Sequence, residues 1–153
     1  GRAFSLIDGG VFANNPSLCA CAAARCLYPR ADGLLVLSVG TGVADRPYPY
    51  EQARSWGSLH WISPRNGSPL IDVMLDGQSD EAVRILDTAP GVRHVRLSPR
   101  LDPRCAAMDN ADARNVACLE EAARQFVADN DALLEELCRG LTRTPQTHSR
   151  EAA

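Results

Sequence analysis

The chain lacks any apolar run approaching the ~18 residues that a membrane-spanning helix needs, so no transmembrane segment is expected. Its 153 residues carry a formal net charge of −3, and no clustered basic face of the kind that binds nucleic acid can be picked out. Lysine is absent: all 16 basic side chains are arginine, which fits a genomic codon bias better than a function. Aromatic residues make up only 5% of the chain. No secretory leader is visible. The chain opens with Gly1 and enters an apolar run almost at once, as a segment beginning within a longer protein would.

The six cysteines (Cys19, Cys21, Cys26, Cys105, Cys118 and Cys138) form no C-x-x-C, and no paired histidine accompanies them. That excludes the usual zinc spacings. Most lie in Ala- or Leu-rich helical segments, which favours small buried apolar residues in a reducing compartment over a disulfide framework. A cytoplasmic location is the matching expectation. No oxygen-rich calcium loop appears, and neither a metal nor a cofactor is expected.

What is present is ordinary for one globular domain: 45% hydrophobic and 23% charged residues, with enough chain to bury a core. Residues 3–7 predict a short buried strand, broken by Asp8-Gly9-Gly10. Asn15 suits a helix cap and Pro16 a first helical position, leading into a helix over 17–27 that Pro29 ends. The apolar run 34–39 predicts a central parallel strand covered on both faces. The first forty residues thus read as strand, turn, helix, strand.

An interrupted helix is expected over 51–62, with a break at Gly57. A second helical stretch starts at Pro69 and carries Leu70, Val73, Met74, Val83 and Leu86. Residues 92–97 predict a strand setting Val92, Val95 and Leu97 against Arg93 and Arg96. A long amphipathic helix capped by Asp109 or Asn110 follows, with Gly140 as its stop.

The residue best placed for chemistry is Asp8. A carboxylate at a strand end of an α/β sheet lies where sites are built, and it can accept a proton from a nearby hydroxyl. Gly9 and Gly10 let the chain bend tightly there and let another group approach. The plain alternative is an Asp-Gly turn with no chemistry. Gly40-Thr41-Gly42 after the apolar strand hints at dinucleotide binding, but Asp45 stands where the third glycine belongs. Trp56, Trp61, Tyr48 and Tyr50 read first as a helix packing on the sheet edge and second as a lipid contact.

The run Asp8-Gly9-Gly10-Val11-Phe12-Ala13-Asn14-Asn15-Pro16, followed by Leu37-Ser38-Val39-Gly40-Thr41-Gly42, resembles the patatin-like phospholipase family. Trp56-Gly57, Met74 to Asp80 and Met108-Asp109-Asn110-Ala111 extend the likeness loosely, in the manner of its bacterial branch. The resemblance implies a three-layer α/β/α fold with a mostly parallel sheet. Residues 1–140 would be the C-terminal portion of that domain, and 141–153 a polar disordered tail.

It also implies a lipid acyl hydrolase of phospholipase A type working through a Ser–Asp dyad. Asp8 would be the proton acceptor, supported by Gly9, Gly10, Asn15 and Pro16. The family's Gly-rich oxyanion loop and its G-x-S-x-G elbow are absent from this sequence. Ser79 follows Gly77 by two, but Glu81 replaces the second glycine.

The chain is therefore expected to carry the base without the nucleophile and to be inactive alone, with a phospholipid or other lipid ester as partner, at a membrane surface. A dyad does not require His60, His94 or His148, which read as surface or packing residues; a conventional triad would need one of them at Asp8. A non-catalytic module binding a partner or a lipid surface, and a nucleotide-binding βαβ domain, are the competing readings.

Overall fold

The computed structural model describes residues 3, 5–44, 48–107 and 109–143. The chain divides into two compact units, one of Gly1–Thr41 with Arg46–Ser98 and one of Gly42–Asp45 with Pro99–Ala153.

Unit one mixes helix and strand. A one-turn helix, α1 (Gly10–Ala13), precedes α2 (Ser17–Leu27). The Asn15 Oδ1 accepts the Ser17 N–H at 3.2 Å, the capping role its short amide suits. Helix α2 stops where Tyr28 donates its N–H to the Ala24 carbonyl just ahead of Pro29. Strand β1 (Leu34–Val39) follows. Two short helices come next, α3 (Tyr50–Ala53) and α4 (Ser58–Ile62), with Gly57 extended between them.

A 3-10 turn at Pro64–Asn66 leads to Gly67 and Ser68, both left-handed at φ 79° and 52°. They reverse the chain into α5 (Pro69–Thr88), which Pro69 opens in its favoured place. Strand β2 (Val92–Leu97) pairs parallel with β1 from Leu34–Val92 to Val39–Leu97. The parallel pair needs a crossover connection, and α5 supplies its long helix.

Helices α2 and α5 pack on one face of the pair and on each other. Leu86 at the centre is fully buried, with Cys21 and Ala82 also buried. Enclosing one such leucine contributes roughly 2 kcal/mol.

Several expectations fail here for identifiable reasons. No strand forms among the described residues of 3–7: Leu6 and Ile7 are 87% and 81% exposed. A strand exists only through a ladder, and among the described residues β1 pairs with β2 alone. Strand β1 is accordingly not central, and Leu35, Leu37 and Val39 remain exposed. In β2 the period of two places Val92, His94 and Arg96 together on the helix-covered face. Arg96 therefore points inward instead of joining Arg93 as a solvent residue.

Unit two joins Val43 to Arg100 by a parallel bridge, with the Leu101 N–H donated to the Val43 carbonyl at 2.8 Å. Gly42 has φ 125°, and a Cβ there would lie 2.6 Å from the Leu101 side chain. Two helices replace the single long one: α6 (Ala113–Asp129) and α7 (Asp131–Arg143). The Asn130 side chain donates to the Phe126 carbonyl at the break between them, a backbone competition typical of asparagine. The cap of α6 is Asp112, which accepts the Arg114 N–H, and Asn110 in turn accepts the Asp112 N–H. Helix α7 runs through Gly140, which is not its stop. Residues 144–153, where most of the expected tail falls, lie outside the described residues.

The cysteine reading is corrected most. Cys105 and Cys118 form a disulfide linking the loop before α6 to that helix. Of the free cysteines only Cys21 is buried, while Cys19, Cys26 and Cys138 are exposed. Spacing alone cannot reveal the pair, because the loop folds back onto the first turns of α6.

Two measurements follow from these features. Thiol titration of the unfolded, unreduced chain is expected to find the four free cysteines Cys19, Cys21, Cys26 and Cys138, and six thiols would remove the disulfide from the fold. On α5, Asp76 has its carboxyl pKa raised above 3.8 by burial, and further by Asp72 and Asp80 one turn to either side. A raised pKa in the folded state favours folding while the group is protonated, and the benefit disappears as pH rises through it. Asp76→Asn is therefore expected to raise the melting temperature slightly at pH 7, more at low salt. The gain should fade below pH 3.8, the ordinary value for the group.

Candidate active site

The Asp8 segment is a tightly organised turn. Asp8 Oδ1 accepts the Gly10 N–H at 2.6 Å. The Asp8 carbonyl accepts the Val11 N–H at 3.2 Å, and the Gly9 carbonyl accepts those of Phe12 and Ala13 at 3.0 and 2.9 Å. The side chain thus satisfies one of the amides that a helix start leaves unpaired.

Asp8 itself is exposed. Among the described residues its second oxygen, Oδ2, has no hydrogen-bond partner and the carboxylate forms no ion pair. An acceptor oxygen is therefore open to a ligand or a hydroxyl.

The two glycines differ in what they do. A Cβ on Gly10 would sit 2.8 Å from Asp8 Oδ1, so glycine there lets the carboxylate close the turn. Gly9 has φ −64° and nothing within 4 Å of a Cβ position. No backbone strain requires glycine at Gly9.

Three side chains dock this turn on α5. Asn14 Nδ2 donates to the Leu75 carbonyl at 3.4 Å, Asn15 Nδ2 to the Ser79 carbonyl at 3.5 Å, and Gln78 Nε2 to the Val11 carbonyl at 3.4 Å. Pro16 follows directly, leading into α2.

Beneath the turn lies a buried polar network centred on Asn15. Its Oδ1 accepts the Ser17 hydroxyl at 2.6 Å and the Ser38 hydroxyl at 3.4 Å. Arg96 Nη1 donates to the Ser38 oxygen at 2.7 Å. A Cβ on Gly40 would meet Arg96 Nη2 at 2.5 Å, so that glycine gives the guanidinium its room. Gly40 serves this packing, and Asp45 lies outside the described residues.

Ser17, Ser38 and Arg96 belong to the support of the site although the motif reading passes over them. The available signal was Ser38, a lone hydroxyl in the run Leu-Leu-Val-Leu-Ser-Val. Arg96, two positions from His94 on the inward register, was a second.

The histidines do not gather at Asp8. The His94 side chain is buried and its Nδ1 lies 2.8 Å from Asp87 Oδ1, which makes it a packing residue between β2 and α5. His60 stacks on Trp56 with ring centroids 4.5 Å apart. His148 lies outside the described residues. Ser79 sits within α5, not on a strand-to-helix elbow, and its carbonyl is engaged by Asn15. Among the described residues no group of three or more His, Cys, Asp or Glu could hold a metal ion. None of the described helices is long and apolar enough to cross a membrane.

With this geometry in place, similarity to known proteins is informative. The chain is similar to patatin-like protein 2 of Oryza sativa subsp. indica, 33% identical over 95 residues, covering 52% of this chain and 24% of that protein. Patatin-like protein 2 of Arabidopsis thaliana is 34% identical over 93 residues, covering 52% and 23%. A longer match, 28% identical over 138 residues, covers 88% of this chain and 10% of Phospholipase A I of Arabidopsis thaliana. The chain spans about a quarter of the length of the patatin-like proteins it matches. No family model matches it, and no solved structure does. The likeness supports a patatin-like family over half the chain.

The network gives a thermodynamic test. Asn15→Leu leaves the Ser17 and Ser38 hydroxyls without their acceptor and is expected to cost about 3 kcal/mol. Ser38→Ala should cost about 1–2 kcal/mol by removing the link to Arg96. Because both act on one chain of bonds, the double variant in urea unfolding should fall short of the sum by at least ~0.5 kcal/mol. Strict additivity would show that Asn15 and Ser38 are not coupled.

Proposed function

We propose that this chain supplies the proton-accepting half of a lipid acyl hydrolase, a carboxylic ester hydrolase of phospholipase A type. The observation that carries the reading is the Asp8 carboxylate, exposed and held by one oxygen only. It occurs in a chain similar to patatin-like proteins and to a phospholipase A. In the proposed dyad a serine hydroxyl from residues outside this chain attacks the ester carbonyl. Asp8 Oδ2 takes the hydroxyl proton as the oxygen–carbon bond forms, then returns it to the leaving alcohol as the ester bond breaks. Water repeats the sequence on the acyl-enzyme and releases the fatty acid.

The surroundings of Asp8 suit such a substrate. Leu6, Ile7 and Phe12 flank it at 81–87% exposure, an apolar rim that an acyl chain or lipid surface would cover. The same rim also favours the second reading, a non-catalytic patatin-like module that docks on lipid without cleaving it. In both, the fold extends to a three-layer α/β/α domain of the bacterial patatin-like kind, with residues 1–140 as its C-terminal portion and 141–153 as a tail.

Asp8→Asn separates the two readings. Asparagine keeps an Oδ1 that accepts the Gly10 N–H, so the turn and the unfolding midpoint should be preserved. In the protein that joins this chain to a G-x-S-x-G segment, hydrolysis of a chromogenic ester is expected to drop by ~10²-fold or more. Turnover within ten-fold of the parent would rule out Asp8 as the base.

A further inference from the structure

Away from the Asp8 turn, unit one holds an open cleft of about 660 Å³ whose walls include Tyr48, Glu51, Trp56 and His60. The aromatic side chains there form a cluster of their own. Trp56 meets Tyr48 edge-on at 5.6 Å and Trp61 at 5.1 Å, and His60 stacks on it at 4.5 Å. The Tyr48 hydroxyl donates to Asp72 Oδ2 at 2.9 Å, which fixes that ring against α5. Tyr50, by contrast, is exposed and belongs to no such contact among the described residues. The cluster is thus more than a helix packed on a sheet edge.

The chemistry of the walls selects a ligand. Glu51 brings a carboxylate, and its Arg54 partner at 3.1 Å is an exposed surface pair of little strength. Apart from His60, no basic side chain among the described residues lines the cleft. Aromatic faces and a carboxylate together attract a cation and disfavour an anion.

A sugar would need free polar partners for its hydroxyls. Asn66 Nδ2 already donates to the His60 carbonyl, and the Ser55 hydroxyl to that of Gln52, which leaves the Gln52 amide as the one amide or hydroxyl side chain there without a hydrogen bond among the described residues, too few for a ring of hydroxyls. A small hard cation would need several oxygen ligands. A quaternary ammonium group has no N–H to satisfy and is held by π faces and one countercharge.

We infer that this cleft binds a quaternary ammonium group, with Glu51 as its countercharge and Trp56 and Tyr48 as its aromatic walls. Its source as the choline headgroup of a lipid rests on the hydrolase reading above. Helix α5 connects the two places: Asp72 anchors the cleft, and the Leu75 and Ser79 carbonyls anchor the Asp8 turn. Asp72 to Ser79 is a rise of about 10 Å along the helix.

Tryptophan fluorescence of the 153-residue chain, titrated with choline at constant ionic strength, tests the site. Saturable binding with a Kd on the order of millimolar is expected, with the neutral carbon isostere 3,3-dimethyl-1-butanol at least ~5-fold weaker. Glu51→Gln, an exposed substitution that should leave the fold intact, is expected to weaken choline by ~3-fold or more, and Trp56→Phe should also weaken it. Absence of saturation, equal binding of the isostere, or an unchanged Glu51→Gln would each overturn the site.

Vesicles identify the source. Preferential cosedimentation with phosphatidylcholine over phosphatidylglycerol sustains the site with a lipid headgroup as its ligand, and choline binding without that preference sustains it with a free cation. The readout is independent of hydrolysis. Choline binding that persists in a chain whose Asp8→Asn variant disproves the dyad leaves this site standing, and loss of choline binding leaves the dyad untouched.

Discussion

The side-chain amide of Asn15, a residue only 6% exposed, is where four segments of unit one are tied together. Its oxygen takes hydroxyl protons from Ser17 at the start of α2 and from Ser38 on β1, and its nitrogen reaches the Ser79 carbonyl on α5. Through Ser38 it also reaches Arg96 on β2. A polar chain of this kind inside an apolar layer is all or nothing. Each member left unpaired would cost roughly 1–3 kcal/mol, so the complete set enforces one arrangement. It also fixes register: a slip of β1 by one residue would bring Leu37 or Val39 to Asn15 in place of the Ser38 hydroxyl.

Helix α5 is the second constraint, and it explains how a short turn without a strand behind it stays ordered. The Asp8 segment is held to α5 by contacts at Leu75, Gln78 and Ser79, while Tyr48 holds the aromatic cleft to Asp72 of the same helix. The row Asp72, Asp76, Asp80 shares a face by helical spacing, and the Asp76 carboxyl is pushed up first by burial and then by the charges of its two neighbours. A helix that tolerates three carboxylates in line while serving as the common support for both places is stabilised from elsewhere. The fully buried Leu86 and Pro69 near its two ends supply that anchoring.

Local signals in the sequence carry the elements that depend on local physics. The Asn15-Pro16 start of α2, the apolar run of β1, the proline opening α5 and the bounds of β2 are all legible, because caps, breakers and apolar periodicity act within a few residues. What is not legible depends on partners distant in sequence. Leu6 and Ile7 have the composition of a strand, yet strand formation is a property of a pair. The Cys105–Cys118 bond depends on a loop path. The inward Arg96 is not legible from its charge, which suggests solvent, but it obeys the period of two through its register with Ser38. At the site, Asp8 could be singled out from its turn, but the Asn15 network could not, since Ser38 and Ser79 lie 23 and 64 residues away.

The turn itself shows why one of its two glycines matters more. At Gly10 the absent Cβ is what admits the Asp8 carboxylate to the N–H it accepts; at Gly9 the position is open. An alanine at Gly10 would push Oδ1 off that amide and free the carboxylate to rotate. The bond therefore does more than close a turn. It distinguishes the two oxygens, tying Oδ1 to the backbone and leaving Oδ2 outward. A base must meet its proton donor within hydrogen-bond reach at a fixed orientation. A carboxylate free about both side-chain torsions would lose that orientation on every rotation. Glycine at this position thus serves the chemistry proposed for Asp8 by restricting the acid's motion, not by making the backbone flexible.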